Sequence, residues 1–317
     1  MTFQFGTKAE TLAVLRERVN ASLFCDQVVV EVGAWVRGDQ SFISEAIEKF
    51  GSSQLAVRSS AIGEDSWGSS LAGAYTSLTG VRAEAEELIA AVNDVISSYD
   101  TSDDRHQVLI QPMVENVAIS GVVLTRELST GGPYYVINYD DFSGRTDTVT
   151  GGAESKTLYI HRDHPEALHS PRFQALIGTV RELEQATSSD ELDVEFAITA
   201  DDSIFILQTR PLAAKKTWQD ISRQDMSGMV AAAREALVPQ LSRRDGVAGA
   251  ATVFGEMPDW NPAEMIGAHP RPLATSLYKR QITDRTWVRS RMRMGYRTMP
   301  ELPLLQSFAG RPYIDVR

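Results

Sequence analysis

A single cysteine, Cys25, occurs among 317 residues. One thiol cannot close an internal disulfide, so a reducing compartment is expected. The chain also lacks a charge-led apolar leader and any uninterrupted apolar run near membrane length. The expectation is therefore a cytoplasmic protein without a membrane partner. Basic residues are in deficit, 31 Lys and Arg against 42 Asp and Glu, giving a formal net charge of −11. That balance argues against a general nucleic-acid binder. Histidine is scarce as well, and the cluster His161, Asp163, His164 and His169 matches no standard zinc-ligand spacing, with Pro165 interrupting it, so no zinc site is expected. What is present is enough apolar sequence for packed cores in two or more domains.

The densest chemistry lies around residue 208. Asp193-Val-Glu195-Phe-Ala197 is followed by a polar turn, Ala200-Asp201-Asp202-Ser203, and then by Ile204-Phe-Ile-Leu207-Gln208-Thr209-Arg210-Pro211. This reads as a hairpin. Residues two apart in a strand share a face, so Gln208 and Arg210 lie together and Glu195 can lie beside them on the partner strand. Mg2+ takes one or two carboxylates plus phosphate oxygens, while arginine offers phosphates a planar fork of donors. A solvated Glu-Arg pair across a hairpin is the other reading of the same residues.

Two upstream stretches carry complementary chemistry. In Phe5-Gly6-Thr7-Lys8-Ala9-Glu10, Thr7 and Glu10 form a capping box, and Leu12, Leu15 and Val19 form an apolar stripe behind it, predicting a helix over 8–20. Its free N–H groups, its dipole and Lys8 suit a phosphate, although many such helices bind nothing. In Leu55-Ala-Val-Arg58-Ser59-Ser60, with Glu64-Asp65 beyond, a short apolar strand empties into a Ser/Gly-rich loop running to Gly73. Small residues let backbone amides approach an anion; a plain surface loop has the same composition.

Together these segments resemble the nucleotide-binding domain of phosphoenolpyruvate synthase and pyruvate phosphate dikinase. Gly6-Thr7-Lys8, Val57-Arg58-Ser59-Ser60 with Glu64-Asp65, and Leu207-Gln208-Thr209-Arg210-Pro211 fall in the family's order. Val108-Leu-Ile-Gln111-Pro-Met113-Val114 is similar to its adenine-side strand. The resemblance covers residues 1 to 213 and implies an ATP-grasp fold in which two α/β lobes clamp ATP. It implies that Lys8, Arg58 and Arg210 act on the polyphosphate, that Ser59 contributes to nucleotide binding, that Gln111, Met113 and Val114 hold the adenine, and that Glu195 and Gln208 hold Mg2+.

The expected organisation is an α/β lobe over 1–105, a β-rich lobe over 106–213, and a helical connector over 214–317 that begins a downstream substrate domain. Asp100–Arg105 reads as a hinge, Ala213–Thr217 as a linker, and 274–294 as a helix of mixed apolar and basic residues. Asn261, Glu264, Pro272-Leu273 and Ser276-Leu277 resemble the connector of larger relatives, rifamycin phosphotransferases included. The family passes phosphate through a carrier histidine, and none of His106, His161, His164, His169 or His269 has that motif's neighbours. The expectation is that this chain is a fragment whose phosphohistidine domain lies downstream.

Two stretches depart from the commoner family pattern, Gly73-Ala74-Tyr75-Thr76-Ser77 and Ile137-Asn138-Tyr139-Asp140-Asp141. Asp140 or Asp141 stands in for the family's acidic residue. Both departures are closer to glutamine kinases, which implies the amide of glutamine as small-molecule acceptor. The alternatives are phosphoenolpyruvate synthase, an antibiotic phosphotransferase, a carboxylate-amine ligase, and a nucleotide-sensing module without catalysis.

Overall fold

The computed structural model describes residues 3–63, 75–99, 103–143, 156–163, 165, 168–212, 223–243, 245, 249–255, 262–296, 303–308 and 310–316. Glu64-Asp65, most of the Ser/Gly-rich loop, Gly73-Ala74, Asp100, His164, the 213–217 linker and Asn261 lie outside them. The chain forms two compact units, Met1–Asp220 and Ile221–Arg317.

The first unit holds two sheets. Strands β2 (Val28–Glu31), β3 (Gln54–Ser60), β4 (Ser77–Arg82) and β5 (Gln107–Pro112) form one sheet in the order β2-β5-β3-β4. The short α2 (Val32–Val36) continues from β2, and helices α3 (Ser41–Phe50) and α4 (Ala85–Ser97) cover one face of the sheet. Both helices place an apolar residue every three or four positions, and Ile43, Ala46 and Phe50 meet Leu88, Val92 and Val95 over Val30, Val57, Val108 and Ile110. Each buried aliphatic side chain of this kind contributes about 1.5–3 kcal/mol.

The second sheet has six strands in the order β1-β10-β9-β6-β7-β8. These are β1 (Leu23–Phe24), β6 (Val117–Leu124), β7 (Tyr134–Asp140), β8 (Lys156–His161), β9 (Leu192–Thr199) and β10 (Ile204–Pro211). Helices α1 (Lys8–Arg16) and α5 (Pro171–Thr187) bury Leu12, Leu15, Leu176, Val180 and Leu183 against Val194, Phe196, Ile198 and Ile206. The hairpin turn at 200–203 forms as read, with Asp202 at φ 68°, a left-handed conformation that aspartate tolerates.

The two sheets interleave along the chain, so a lobe boundary at 105/106 does not hold. Strand β5 pairs with β2 and β3, while α1 and β1 belong to the six-stranded lobe. The reason is alternation in β5: Val108 and Ile110 enter the α3/α4 core, whereas Leu109 points the other way and joins the core of the six-stranded lobe. Helix α1 is shorter than the 8–20 expectation and ends at Arg16 in a turn closed by the Arg18 amide on the Leu15 carbonyl.

The second unit contains α6 (Arg223–Leu237), α7 (Pro262–Ile266) and one long helical run. That run is α8 (Pro272–Tyr278), a π-helical stretch (Lys279–Trp287) and α9 (Val288–Arg293). A three-stranded sheet, β11 (Phe254–Gly255), β13 (Arg311–Asp315) and β12 (Leu305–Phe308), completes it. Tyr278, Trp287, Leu305 and Ile314 form its core.

Candidate functional site

Register builds the site. Strands β9 and β10 pair Gln208 with Glu195 and Arg210 with Asp193, so the four side chains occupy one face of the six-stranded sheet. Strict alternation would have put Gln208 on the face of Ile204 and Ile206. It does not, because Ile206 pairs with Phe196 and Gln208 with Glu195, leaving Leu207 as an extra residue. This β-bulge sends Ile206 into the helix-packed core and turns Gln208 and Arg210 to the opposite face.

Arg210 donates through Nε and Nη2 to Asp193 Oδ2 at 2.9 and 2.6 Å. Both side chains are largely shielded, 18% and 14% exposed. Burial pushes the Asp193 carboxyl up, and the Arg210 charge pulls it down less strongly. The pair therefore holds the guanidinium in position without giving much net stability. Asp193 is the residue that sequence reasoning left out of the site. Its spacing two residues before Glu195 was the available signal.

The four-stranded sheet supplies the facing groups. In the β3/β5 pair, Ala56 lies opposite Gln111, Arg58 opposite Leu109, and Ser60 opposite Gln107. Leu109 packs into the six-stranded lobe, which fixes this face as the one turned toward it. Arg58 Nη1 lies 3.8 Å from Glu195 Oε2. Ser59 lies opposite Val108, whose side chain is in the α3/α4 core. Alternation thus points Ser59 away from the site and brings Ser60 to it, a correction to the sequence expectation.

Ser60 joins the site to α1. Its hydroxyl accepts the Ala9 amide at 3.0 Å, and Thr7 Oγ1 donates to Gln107 Oε1 at 2.7 Å. The Thr7/Glu10 capping box is present. Lys8 is buried at the first helical position, on a helix that lies against β10, β3 and β5.

Gln111, Met113 and Val114 line a cavity of about 10 Å³ with Cys25, Arg58 and Leu207, room for one water. The Gly80 amide reaches Met113 Sδ at 3.1 Å. A larger cavity, about 810 Å³, opens beside Phe5, Thr7, Glu10 and Ile62; Arg58, Glu195, Gln208 and Arg210 do not line it. Asp140 accepts the amides of Phe142 and Ser143 in a local turn, whereas Asp141 pairs with Lys156 at 2.8 Å. His161 Nδ1 accepts the Asp163 amide. Among the described residues no group of three or more His, Cys, Asp or Glu side chains converges on a common point.

Comparison with known proteins gives one family. Residues 36–169 match the model of the pyruvate phosphate dikinase AMP/ATP-binding domain. The matched span includes Arg58, Gln111, Met113 and Val114 and excludes Lys8, Asp193, Glu195, Gln208 and Arg210. No curated protein matches the sequence. Solved structures similar to the chain include D-alanine-D-alanine ligase from Helicobacter pylori, at 11% identity and TM-score 0.39, over 65% of this chain and 54% of that one. Another is the Bacillus anthracis D-alanine-D-alanine ligase complexed with ATP, at 14% and 0.39, over 70% and 61%. A third is N5-carboxyaminoimidazole synthetase from Staphylococcus aureus, at 13% and 0.38, over 69% and 48%. The chain spans about half the length of these proteins. Its first unit has the two α/β lobes expected of an ATP-grasp fold, and residues 36–169, under half of the chain, are similar to the pyruvate phosphate dikinase AMP/ATP-binding domain.

Proposed function

We propose that the first unit binds Mg-ATP between its two sheets and serves a dikinase-type phosphotransferase. The observation that carries this reading is the quartet Asp193, Glu195, Gln208 and Arg210 on one sheet face, with Arg58 of the other sheet 3.8 Å from Glu195. Each arginine rests on a carboxylate. Mg-ATP offers both halves of an exchange, since phosphate oxygens suit the arginines and a hard cation suits the carboxylates. Glu195 and the Gln208 amide oxygen, side by side on adjacent strands, would hold Mg2+, and the ion would neutralise polyphosphate charge there. Arg58 and Arg210 orient the phosphates, and Lys8 with the first turn of α1 adds positive potential.

The adenine would occupy the cavity bounded by Gln111, Met113, Val114, Leu207 and Cys25. Ligand pockets ordinarily measure about 300–1,000 Å³, so the present cavity of about 10 Å³ must widen as the sheets part. Phosphoryl transfer needs little beyond positioning and charge neutralisation. The resemblance adds the rest of the reading: transfer to a carrier histidine in a downstream domain, release of AMP and phosphate, and delivery to a small acceptor, the amide of glutamine. Phosphorus NMR of a longer parent protein would detect these products; ADP in place of AMP rejects the dikinase reading.

Titration calorimetry tests the site itself. Each charge-assisted hydrogen bond contributes about 1.5–3 kcal/mol, so Arg210→Ala should weaken Mg-ATP by about tenfold to a hundredfold or more. Unchanged affinity in that variant rejects the assignment.

A further inference from the structure

The net charge of −11 conceals two opposite halves. Residues 1–220 carry 17 basic and 33 acidic side chains, a net of −16, whereas residues 221–317 carry 14 basic and 9 acidic, a net of +5. The basic excess is concentrated on the helical run through α8 and α9. Arg280, Arg285, Arg289 and Arg293 are all exposed. Among the described residues none of the four has an ion pair or hydrogen-bond partner. Arg291, by contrast, is held between the rings of Trp287 and Tyr296, 5.3 Å from each centroid.

Backbone geometry puts the four in line. Tyr278, Thr283 and Trp287 face inward, and Arg280, Arg285 and Arg289 each follow one of them by two residues, about half a turn round the helix. The five-residue step from Arg280 to Arg285 spans the π-helical stretch, whose wider turn keeps Arg280 aligned; a plain α-helix would rotate it well off the stripe. Neighbouring guanidinium stems are then about 6 Å apart along the axis. Such a row suits a surface with repeated carboxylates rather than one small anion.

The complementary surface lies on the same chain. Helices α3 and α4 pack side by side over the four-stranded sheet, and they expose Glu45, Glu48, Glu86 and Asp94. None of these four has an ion-pair partner among the described residues. We infer that the arginine stripe of one copy docks on the α3/α4 acidic surface of a second copy. If each copy gives its basic unit to the other's acidic unit, the contact closes at two copies and does not run on into a fibre.

Salt separates this contact from the general repulsion of two acidic proteins. At about 0.15 M salt the screening length is about 8 Å, so repulsion across whole molecules fades while contact pairs persist; at about 1 M it is about 3 Å and the contacts weaken as well. Sedimentation velocity should therefore show a concentration-dependent dimer at about 0.15 M salt and a monomer at about 1 M. R285E/R289E and E45R/E48R, all at exposed positions, should each be monomeric at both, with unchanged thermal unfolding. Mixing the two variants should restore association. The inference is overturned if the wild-type chain is monomeric at about 0.15 M salt, or if the mixed variants stay apart. It is equally overturned if the stripe binds single-stranded DNA in fluorescence anisotropy while the chain remains monomeric.

Discussion

The Ala9 amide donates to the Ser60 hydroxyl at 3.0 Å, joining positions 51 residues apart. Ala9 belongs to the first turn of α1, whose apolar stripe lies in the core of the six-stranded lobe, and Ser60 closes β3 of the other sheet. One side-chain oxygen thus serves as both a helix cap and a link between lobes. Ser60→Ala leaves a buried amide without an acceptor, which costs about 1–3 kcal/mol. Urea denaturation should show that loss, with the slope against denaturant preserved. A change within error of zero would mean that water replaces the hydroxyl without cost.

Asp193 gives a pH signature. Burial raises its carboxyl pKa in the folded chain, so the protonated form is favoured by folding. The associated stability is full below the ordinary carboxylate pKa and is lost as pH rises through the elevated folded value. Asp193→Asn keeps the shape of the neutral form and cannot ionise. Relative to wild type, the variant should gain unfolding free energy as pH rises from the ordinary carboxylate range, measured by denaturant titration at several pH values. A difference that is flat with pH, or of opposite sign, would show that Arg210 outweighs burial.

The hairpin at 192–211 was legible in the sequence because its turn residues and alternation are local, and Glu195, Gln208 and Arg210 do share a face. The bulge at Leu207 was not legible, since nothing in Ile-Leu-Gln distinguishes an inserted residue from a regular step. Placement of β5 was equally hidden. A strand buried on both sides, Val108-Leu109-Ile110, has no polar face to reveal which sheet it joins. Ser59 and Ser60 are chemically equivalent on paper, and only the pairing of β3 with β5 decides that Ser60 faces the site. The arginine stripe escaped notice for a similar reason, because its alignment depends on a π-helical step between Arg280 and Arg285.

Metal dependence should map to Glu195. In the wild-type chain, calorimetry with ATP should give tighter binding when Mg2+ is added. Glu195→Ala should bind ATP with nearly the same affinity with and without the metal, since the carboxylate paired with Gln208 is gone. A metal effect that survives the substitution moves the cation elsewhere.

Cys25 lines the cavity proposed for adenine. Burial pushes its thiol up to about 11 from 9.0, against the pull of Arg58. Only the thiolate reacts with iodoacetamide, so at about pH 8 alkylation of the folded chain should be about a hundredfold slower than in urea-unfolded chain. ATP should slow it further. Equal rates in folded and unfolded chain would contradict both the burial and the shift.

The extra residue at Leu207 also makes the effect of a deletion depend on its place in this strand. Ile206 already pairs with Phe196 and Gln208 with Glu195, so removing Leu207 would close the ladder into regular alternation, with Ile206 still in the helix-packed core and Gln208 and Arg210 still facing the cleft. The deletion would remove only the local bend and the Leu207 side chain that lines the small cavity with Cys25 and Met113. Deleting Thr209 instead would set Arg210 directly after Gln208 and turn the guanidinium to the opposite face. Two one-codon deletions two positions apart would thus have opposite consequences for the site.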